Sequence, residues 1–401
     1  MKLGELIEIK HGYAFSGEHI VEDDNGIVLV TPGNFRIGGG FKEEKCKFFD
    51  GEIPADYVLK EGDFIVTMTD LSKTIDTLGY SALVPKSKRT YLHNQRIGLV
   101  TFKSDECDRG YIYWLMRTRE YQRSIANTST GATVHHTSPK KIYDYDLEVP
   151  PLSTQHRIAS ILSRYDSLIE NYQKQIKLLE EAAQRLYKEW VIDLRFPGHE
   201  NTKIVDGVPE GWERKKVGEI GTVITGKTPS TSNKENYGGS IPFITIPDMH
   251  IGIYPVSSVF LSEKGAESQS KKYIPQGALI VSCIGTAGLV CITKERCQTN
   301  QQINSLILDD KEMLHYMYFV FLSLKEHLNN IGSNGATMTN VNKSKFEGID
   351  IVVPSSCIIR DFSQRTTPYF ENILSLQSQL RLLTEARDRL LPKLMSGEIT
   401  V

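Results

Sequence analysis

Gly221-Thr222-Val223-Ile224-Thr225-Gly226-Lys227-Thr228 has the spacing of a phosphate-binding loop, so nucleotide chemistry is the first to weigh. Such a loop needs backbone amides pointing inward and a helix beginning at the lysine. Its interior positions here are β-branched, and Pro229-Ser230-Thr231-Ser232-Asn233 stands where the helix would start, which argues against ATP binding. A nuclease would gather carboxylates around Mg²⁺; Pro247-Asp248 and Asp309-Asp310-Lys311 are only loose elements of that kind. Methyl transfer fares no better, because Ile37-Gly38-Gly39-Gly40 is not a dinucleotide-type fingerprint and no Asn/Asp-Pro-Pro-aromatic element is present. The ten histidines form no metal-like cluster, and the six cysteines contain no C-x-x-C pair, which argues against a zinc knuckle and a disulfide framework. The preferred reading is a chain with no catalytic residue and no metal site; a P-loop ATPase or a nuclease is the alternative.

The elements that would position any site are legible as a repeat. Leu3-Gly4-Glu5-Leu6-Ile7 returns as Val217-Gly218-Glu219-Ile220-Gly221, and Asn94-Gln95-Arg96-Ile97 as Asn300-Gln301-Gln302-Ile303. Tyr111-Ile112-Tyr113 is echoed by Tyr316-Met317-Tyr318, Gly131-Ala132-Thr133 by Gly335-Ala336-Thr337, and Val149-Pro150 by Val353-Pro354. The order is the same in both halves, as two copies of one fold with different loops would leave it. Short β-rich runs punctuated by Gly and Pro make each copy a mixed α/β (α+β) globule.

Each copy is followed by a long helix. Apolar residues at Ile158, Leu162, Tyr165, Ile169, Tyr172, Ile176, Leu179, Ala183, Leu186 and Trp190 are spaced alternately four and three apart, a heptad seam. The second copy has Phe362, Thr366, Tyr369, Ile373, Leu376, Leu380, Leu383, Arg387, Leu390 and Leu394 at the same spacing, with Pro368 expected to break or restart the helix. Pairing of the two as an antiparallel coiled coil is preferred over a plain core-facing stripe. The expected division is residues 1–150, a helix over 151–196, residues 197–355 and a helix over 356–401. No run approaches the ~20 apolar residues of a membrane span, and Met1-Lys2-Leu3-Gly4-Glu5 is not a signal segment, so the expected location is cytoplasmic, with no membrane partner.

This layout resembles the specificity subunits of type I restriction-modification systems. The residues that carry the likeness are Val208-Pro209-Glu210-Gly211-Trp212-Glu213, Gly226-Lys227-Thr228-Pro229-Ser230-Thr231, Tyr237-Gly238-Gly239-Ser240-Ile241-Pro242-Phe243, and Val149-Pro150-Pro151-Leu152-Ser153-Thr154-Gln155-His156-Arg157-Ile158. The resemblance implies two target recognition domains reading the halves of an asymmetric bipartite site in double-stranded DNA, with the helices as spacers. It also implies methyltransferase subunits and restriction subunits as partners. The chain itself would bind no cofactor, S-adenosylmethionine and ATP with Mg²⁺ being used by the assembled complex. A coiled-coil scaffold without DNA binding is the third reading, motivated by the net charge of -2, which also means that any DNA surface is local or completed by a partner.

For DNA contact the polar segments after the Gly-Ala-Thr landmarks stand out: Thr133, His135, His136, Thr137, Lys140 and Lys141, then Thr337, Thr339, Asn340, Asn342, Lys343 and Lys345. They mix groups suited to base edges with lysines suited to phosphates, against the plainer reading of a solvated loop plus a helix cap. Lys86, Lys88 and Arg89 form a basic cluster, and Arg36 and Lys227 stand beside glycines that let backbone approach a ligand.

Overall fold

Apolar runs of four to six residues, too short for helices, become the central strands. A computed structural model describes residues 1–103, 106–333 and 339–401. The chain forms two units, residues 1–169 with 383–401, and residues 170–382. The grouping differs from the expected four segments because each long helix contributes its two ends to different units.

In the first unit β1 (Ile7–His11), β2 (Ile27–Val30), β3 (Phe64–Thr67), β4 (Ser81–Leu83), β5 (Thr90–His93) and β6 (Ile97–Phe102) make two sheets. The first is antiparallel in the order β1-β6-β3-β4, and the second holds β2 parallel to β5. β3 is buried along its whole length, as its Phe-Ile-Val-Thr sequence requires. The short helix α1 (Arg109–Leu115) is capped by Asp108, whose carboxylate accepts the Tyr111 N–H at 2.7 Å. α1 lays Tyr111, Ile112 and Trp114 into the core, and Trp114 Nε1 donates to Ser163 Oγ at 3.1 Å on the long helix α2 (Leu152–Tyr187).

The second unit repeats the plan with β7 (Gly221–Thr225), β8 (Tyr237–Ile244), β9 (Leu279–Ser282), β10 (Val290–Ile292), β11 (Gln298–Thr299) and β12 (Ile303–Leu308). Its antiparallel sheet runs β7-β12-β9-β10, and β8 is parallel to β11. Register is kept as well: Ile97 faces Thr67 as Ile303 faces Ser282. The all-buried face of α3 (Leu314–Ser323) takes the place of α1, and α4 (Ser356–Met395) is the second long helix.

The helices pair antiparallel within each unit. In the first, Ile158, Ala159 and Leu162 share a core with Leu391 and Leu394; in the second, Ala183, Tyr187 and Trp190 share one with Phe362, Phe370 and Ile373. The seam is not uniform, however. Ile158, Leu162, Ile169, Ala183 and Trp190 of the first helix and Phe362, Thr366, Ile373 and Leu394 of the second are buried, whereas Tyr165, Tyr172, Ile176, Leu179 and Leu186, and Tyr369, Leu376, Leu380, Leu383 and Leu390, are half-buried. The buried positions therefore serve as core for the globule beside them, as in an amphipathic helix laid on a globule, in addition to pairing. After Tyr187 the first helix closes in a π-turn, Lys188–Ile192, that carries buried Trp190.

Pro368 does not break α4, contrary to expectation. It removes one backbone donor and frees the Gln364 carbonyl, but both residues are exposed, so water can take that bond. Nearby, the Thr366 hydroxyl donates to the Phe362 carbonyl at 2.8 Å and accepts the ring N–H of His315, whose Nδ1 lies 3.1 Å away. Arg387, the other polar seam residue, meets Asp166 of α2 at 2.5 Å. Asp166 also binds Arg117 at 2.5 Å, and that guanidinium lies over Trp114 and donates to the Gly38 carbonyl at 2.9 Å.

Candidate nucleic-acid interface

Where β3 ends in the first unit, the Met68 N–H donates to the Arg96 carbonyl at 2.9 Å and the Met68 carbonyl accepts the Thr137 N–H at 3.0 Å. Three segments far apart in sequence, the Asn94–Arg96 turn, the strand His135–His136 and the loop after Met68, are thereby joined at one end of the sheet. The second unit makes the same joint: Cys283 N–H donates to the Gln302 carbonyl at 2.8 Å, and its carbonyl accepts Val341 N–H at 2.9 Å. Each turn is held by its own asparagine, Asn94 Oδ1 accepting Arg96 N–H and Asn300 Oδ1 accepting Gln302 N–H. Gly12 and Gly226 lie against the carbonyls of Asn94 and Asn300, where a methyl group would collide.

The loop after Met68 is built around Asp70. Its buried carboxylate accepts the N–H groups of Ser72, Thr77 and Leu78 and the Thr77 hydroxyl. Burial works against its ionisation, but these donors prevail and hold it below the ordinary carboxylate range. Ordering the loop this way presents exposed Leu71 and Lys73 beside the His135–His136 strand, which pairs with Thr69–Asp70.

Thr133 and His136 are exposed here, His135 is half-buried, and His136 Nδ1 lies 3.1 Å from Thr69 Oγ1. Thr137 sits on the joint itself and turns its hydroxyl into the interior. Exposed Lys140 and half-buried Lys141 lie on the short helix that follows, whose cap is Ser138. In the second unit Thr339 and Asn340 occupy the matching strand position, with Lys227 exposed next to Gly226, while Thr337 lies outside the described residues. Asn342 is committed as a cap, accepting Lys345 N–H at 3.0 Å; Lys343 pairs with Glu347 at 3.4 Å, and Lys345 Nζ donates to the Ile331 carbonyl at 2.8 Å.

The other basic candidates lie elsewhere. Lys86 and Lys88 are exposed at the start of β5, a strand length from the Asn94 turn. Arg89 is bound to Asp24 and packs over Phe48, and Arg36 is 3.8 Å from Glu44. What sequence reading missed is the turn: exposed Gln95 and Arg96, exposed Gln301, which accepts the Thr228 hydroxyl, and half-buried Gln302, which accepts Asn300 Nδ2 and donates to the Ile284 carbonyl, stand at the joint. Their repetition marked them as landmarks, and that repetition was the available signal.

The catalytic alternatives fail on geometry. Gly221–Thr225 is an extended edge strand paired with β12, so its amides point alternately to its two sides and form no inward-facing cradle for a phosphate. Asp248 is buried as a cap for Thr245 and accepts Ser258 N–H, and Asp310 caps Glu312. Among the described residues no three His, Cys, Asp or Glu side chains are grouped to hold a metal ion, and no helix is long and apolar enough to cross a membrane.

The family model described as the type I restriction modification DNA specificity domain matches residues 1–181 and 209–360. The chain is 35% identical over 351 residues to the type I restriction enzyme HindI specificity subunit of Haemophilus influenzae, covering 70% of this chain and 75% of that one. It is 29% identical over 298 residues to the MjaIX specificity subunit of Methanocaldococcus jannaschii, covering 73% and 69%. The crystal structure of a type I restriction-modification S subunit from M. genitalium shares the fold, with a TM-score of 0.64 at 16% identity over 98% of this chain and 95% of that one. With a duplicated sheet, a duplicated joint and a family match to each half, the chain belongs to the type I restriction-modification DNA specificity family and carries its domain twice.

Proposed function

We propose that each unit reads one half of an asymmetric bipartite site in double-stranded DNA through the segments gathered at its joint. The observation that carries this is one main-chain scaffold bearing different side chains: Gln95, Arg96 and His136 at one joint, Gln301, Gln302 and Asn340 at the other. Arginine suits guanine and the amides suit adenine in a major groove, so two such ends read different bases. Thr133, His135, Thr339 and Lys227 flank these readers, and Lys140 and Lys141 serve phosphates. α2, about 54 Å long at 1.5 Å per residue, exceeds the ~34 Å repeat of B-DNA, which suits a spacer between half-sites. Methyltransferase and restriction subunits are the partners in this reading. S-adenosylmethionine and ATP with Mg²⁺ belong to those partners.

The test is to sequence methylated sites in cells carrying the chain with its methyltransferase subunit. Arg96→Ala with His136→Ala relaxes one half-site and leaves the other and the spacing unchanged; Gln302→Ala with Asn340→Ala does the converse. Loss of both halves together in either variant, or an unchanged methylation pattern, overturns the assignment.

A further inference from the structure

At the joint, the connection from β3 to β4 and the one from β9 to β10 are closed by the same two bonds. Thr67 N–H donates to the Tyr80 carbonyl at 3.1 Å and Gly79 N–H to the Thr67 carbonyl at 2.9 Å. In the second unit Ser282 N–H donates to the Leu289 carbonyl and Gly288 N–H to the Ser282 carbonyl, both at 2.9 Å. Gly79 and Gly288 even share their left-handed backbone, at φ of 85° and 89°. Between these matched ends the first unit carries residues 68–78 and the second only residues 283–287, six fewer.

The longer loop is held in one shape. Besides the four donors on the Asp70 carboxylate, Ser72 Oγ accepts the Asp76 N–H at 3.0 Å. Gln122, buried on the short helix Arg119–Asn127, donates to the Ile75 carbonyl at 2.6 Å. Ile75 itself stands at φ 53°, a left-handed conformation that costs a β-branched residue free energy. Strain of that kind persists only where surrounding bonds over-determine it, as in segments kept for their shape. What the shape presents is Leu71, 59% exposed, with exposed Lys73 close by. Leu71 is fixed on both sides: Asp70 pairs with His135, and Ser72 N–H donates to Asp70 Oδ1 at 2.6 Å. Cations surround it. Arg119 and Arg123, exposed and one turn apart on the helix that holds Ile75, make no ion pair among the described residues, and neither does Lys73; half-buried Asp76 and exposed Glu120 are the acids nearby.

We infer that Leu71 is a further specificity-determining residue of the first unit, reading the methyl group of a thymine in the half-site that Arg96 and His136 address, with Lys73 on a neighbouring phosphate; the inference rests on the DNA reading above. Leucine has no donor and no acceptor, and the one apolar group that base edges offer in a major groove is the thymine C5 methyl. A side chain already fixed by its backbone loses little conformational freedom on meeting it. The free cations suit phosphates on either side of that base. The contrast between the units points the same way. A ligand common to both would call for the same element in both, whereas the half-sites differ, and this loop is present in one copy alone. The first unit thus reads a base pair through an element for which the second has no counterpart.

The experiment sequences methylated sites in cells carrying the chain with its methyltransferase subunit, for Leu71→Ala, Leu71→Met and the Arg96→Ala, His136→Ala pair. In Leu71→Ala one thymine of the first half-site is expected to become degenerate while the second half-site and the spacing stay unchanged; Leu71→Met, which keeps an apolar tip, retains it. Synthetic duplexes then isolate the methyl group. Uracil in place of that thymine is expected to weaken binding by the native assembled complex about fourfold, the effect of one buried methyl group, and to leave the Leu71→Ala complex indifferent. An unchanged motif in Leu71→Ala, beside a relaxed first half-site in the Arg96 and His136 pair, overturns the inference and leaves the DNA reading intact. An unchanged motif in both brings down both. Native binding that ignores uracil at every thymine of the first half-site also overturns it. Weaker uptake of the methyltransferase subunit by Leu71→Ala with the motif intact gives Leu71 to a protein surface, and the inference fails.

Discussion

The two units solve one packing problem with opposite chemistry. Where the first unit fastens the end of α1 to the long helices through Arg117, Asp166 and Arg387, the aligned positions in the second are Leu322, Phe370 and Ala183, with Phe370 and Ala183 buried in one apolar cluster. Against Phe370 the second unit stacks His315, ring centroids 4.0 Å apart, and the position aligned with His315 in the first is Gly110. The lesson is that the backbone plan demands a filled joint but not its polarity. An ionic joint fixes which helix faces which, because Asp166 finds arginines in only one register, while an apolar one is indifferent to salt.

Breaking the joints separates them. Phe370→Ala leaves a cavity and is expected to cost about 4 kcal/mol in the second unit alone. Asp166→Ala strands two arginines, one nearly fully buried, and is expected to cost about 3 kcal/mol in the first. Hydrogen exchange resolved by unit checks both; protection lost equally in both units would dissolve the contrast.

Acid acts on the second unit. Burial holds the His315 pKa down to about 4, so the unfolded chain takes up a proton near pH 6.5 that the folded unit refuses until about 4. Stability is full above pH 6.5 and falls across that window, by at most about 3 kcal/mol. Urea midpoints followed from pH 7 to 4 should show this fall, and His315→Gln, which keeps a donor without titrating, should abolish the part it causes.

A graft sharpens the comparison further. Arg117→Leu, Asp166→Phe and Arg387→Ala together should leave the first unit unchanged or more stable by about 1–2 kcal/mol, as when other buried ion triads are replaced. Destabilisation in a urea melt would show that the ionic joint is more than a substitute for packing. The smallest effect is expected at the surface: Lys140→Ala should weaken DNA binding by the assembled complex uniformly across sequences and lower its salt slope by about one.

Much of the architecture was legible because period and repetition are local properties of a sequence. The heptads gave the helix pair, and the order of landmarks gave two like units. Pro368 misled because helix breaking depends on whether the freed carbonyl reaches water, which only the exposed face of α4 reveals. For the binding candidates, spacing does not show which groups are already engaged. Asn342 and Lys345 carry the right groups, but capping and a carbonyl contact use them, and Arg89 is occupied by Asp24. Gln95 and Arg96 were hidden for the opposite reason: they reach His136 only through the bonds of Met68, a meeting of segments that spacing does not encode.

Those bonds run from amide to carbonyl and ask nothing of the side chains at positions 68 and 283, where methionine and cysteine serve alike. A lineage can therefore rewrite the residues around the joint without renegotiating how the segments meet. On the reading proposed above, new DNA targets become accessible by substitution alone, on a frame that stays in register while its vocabulary changes.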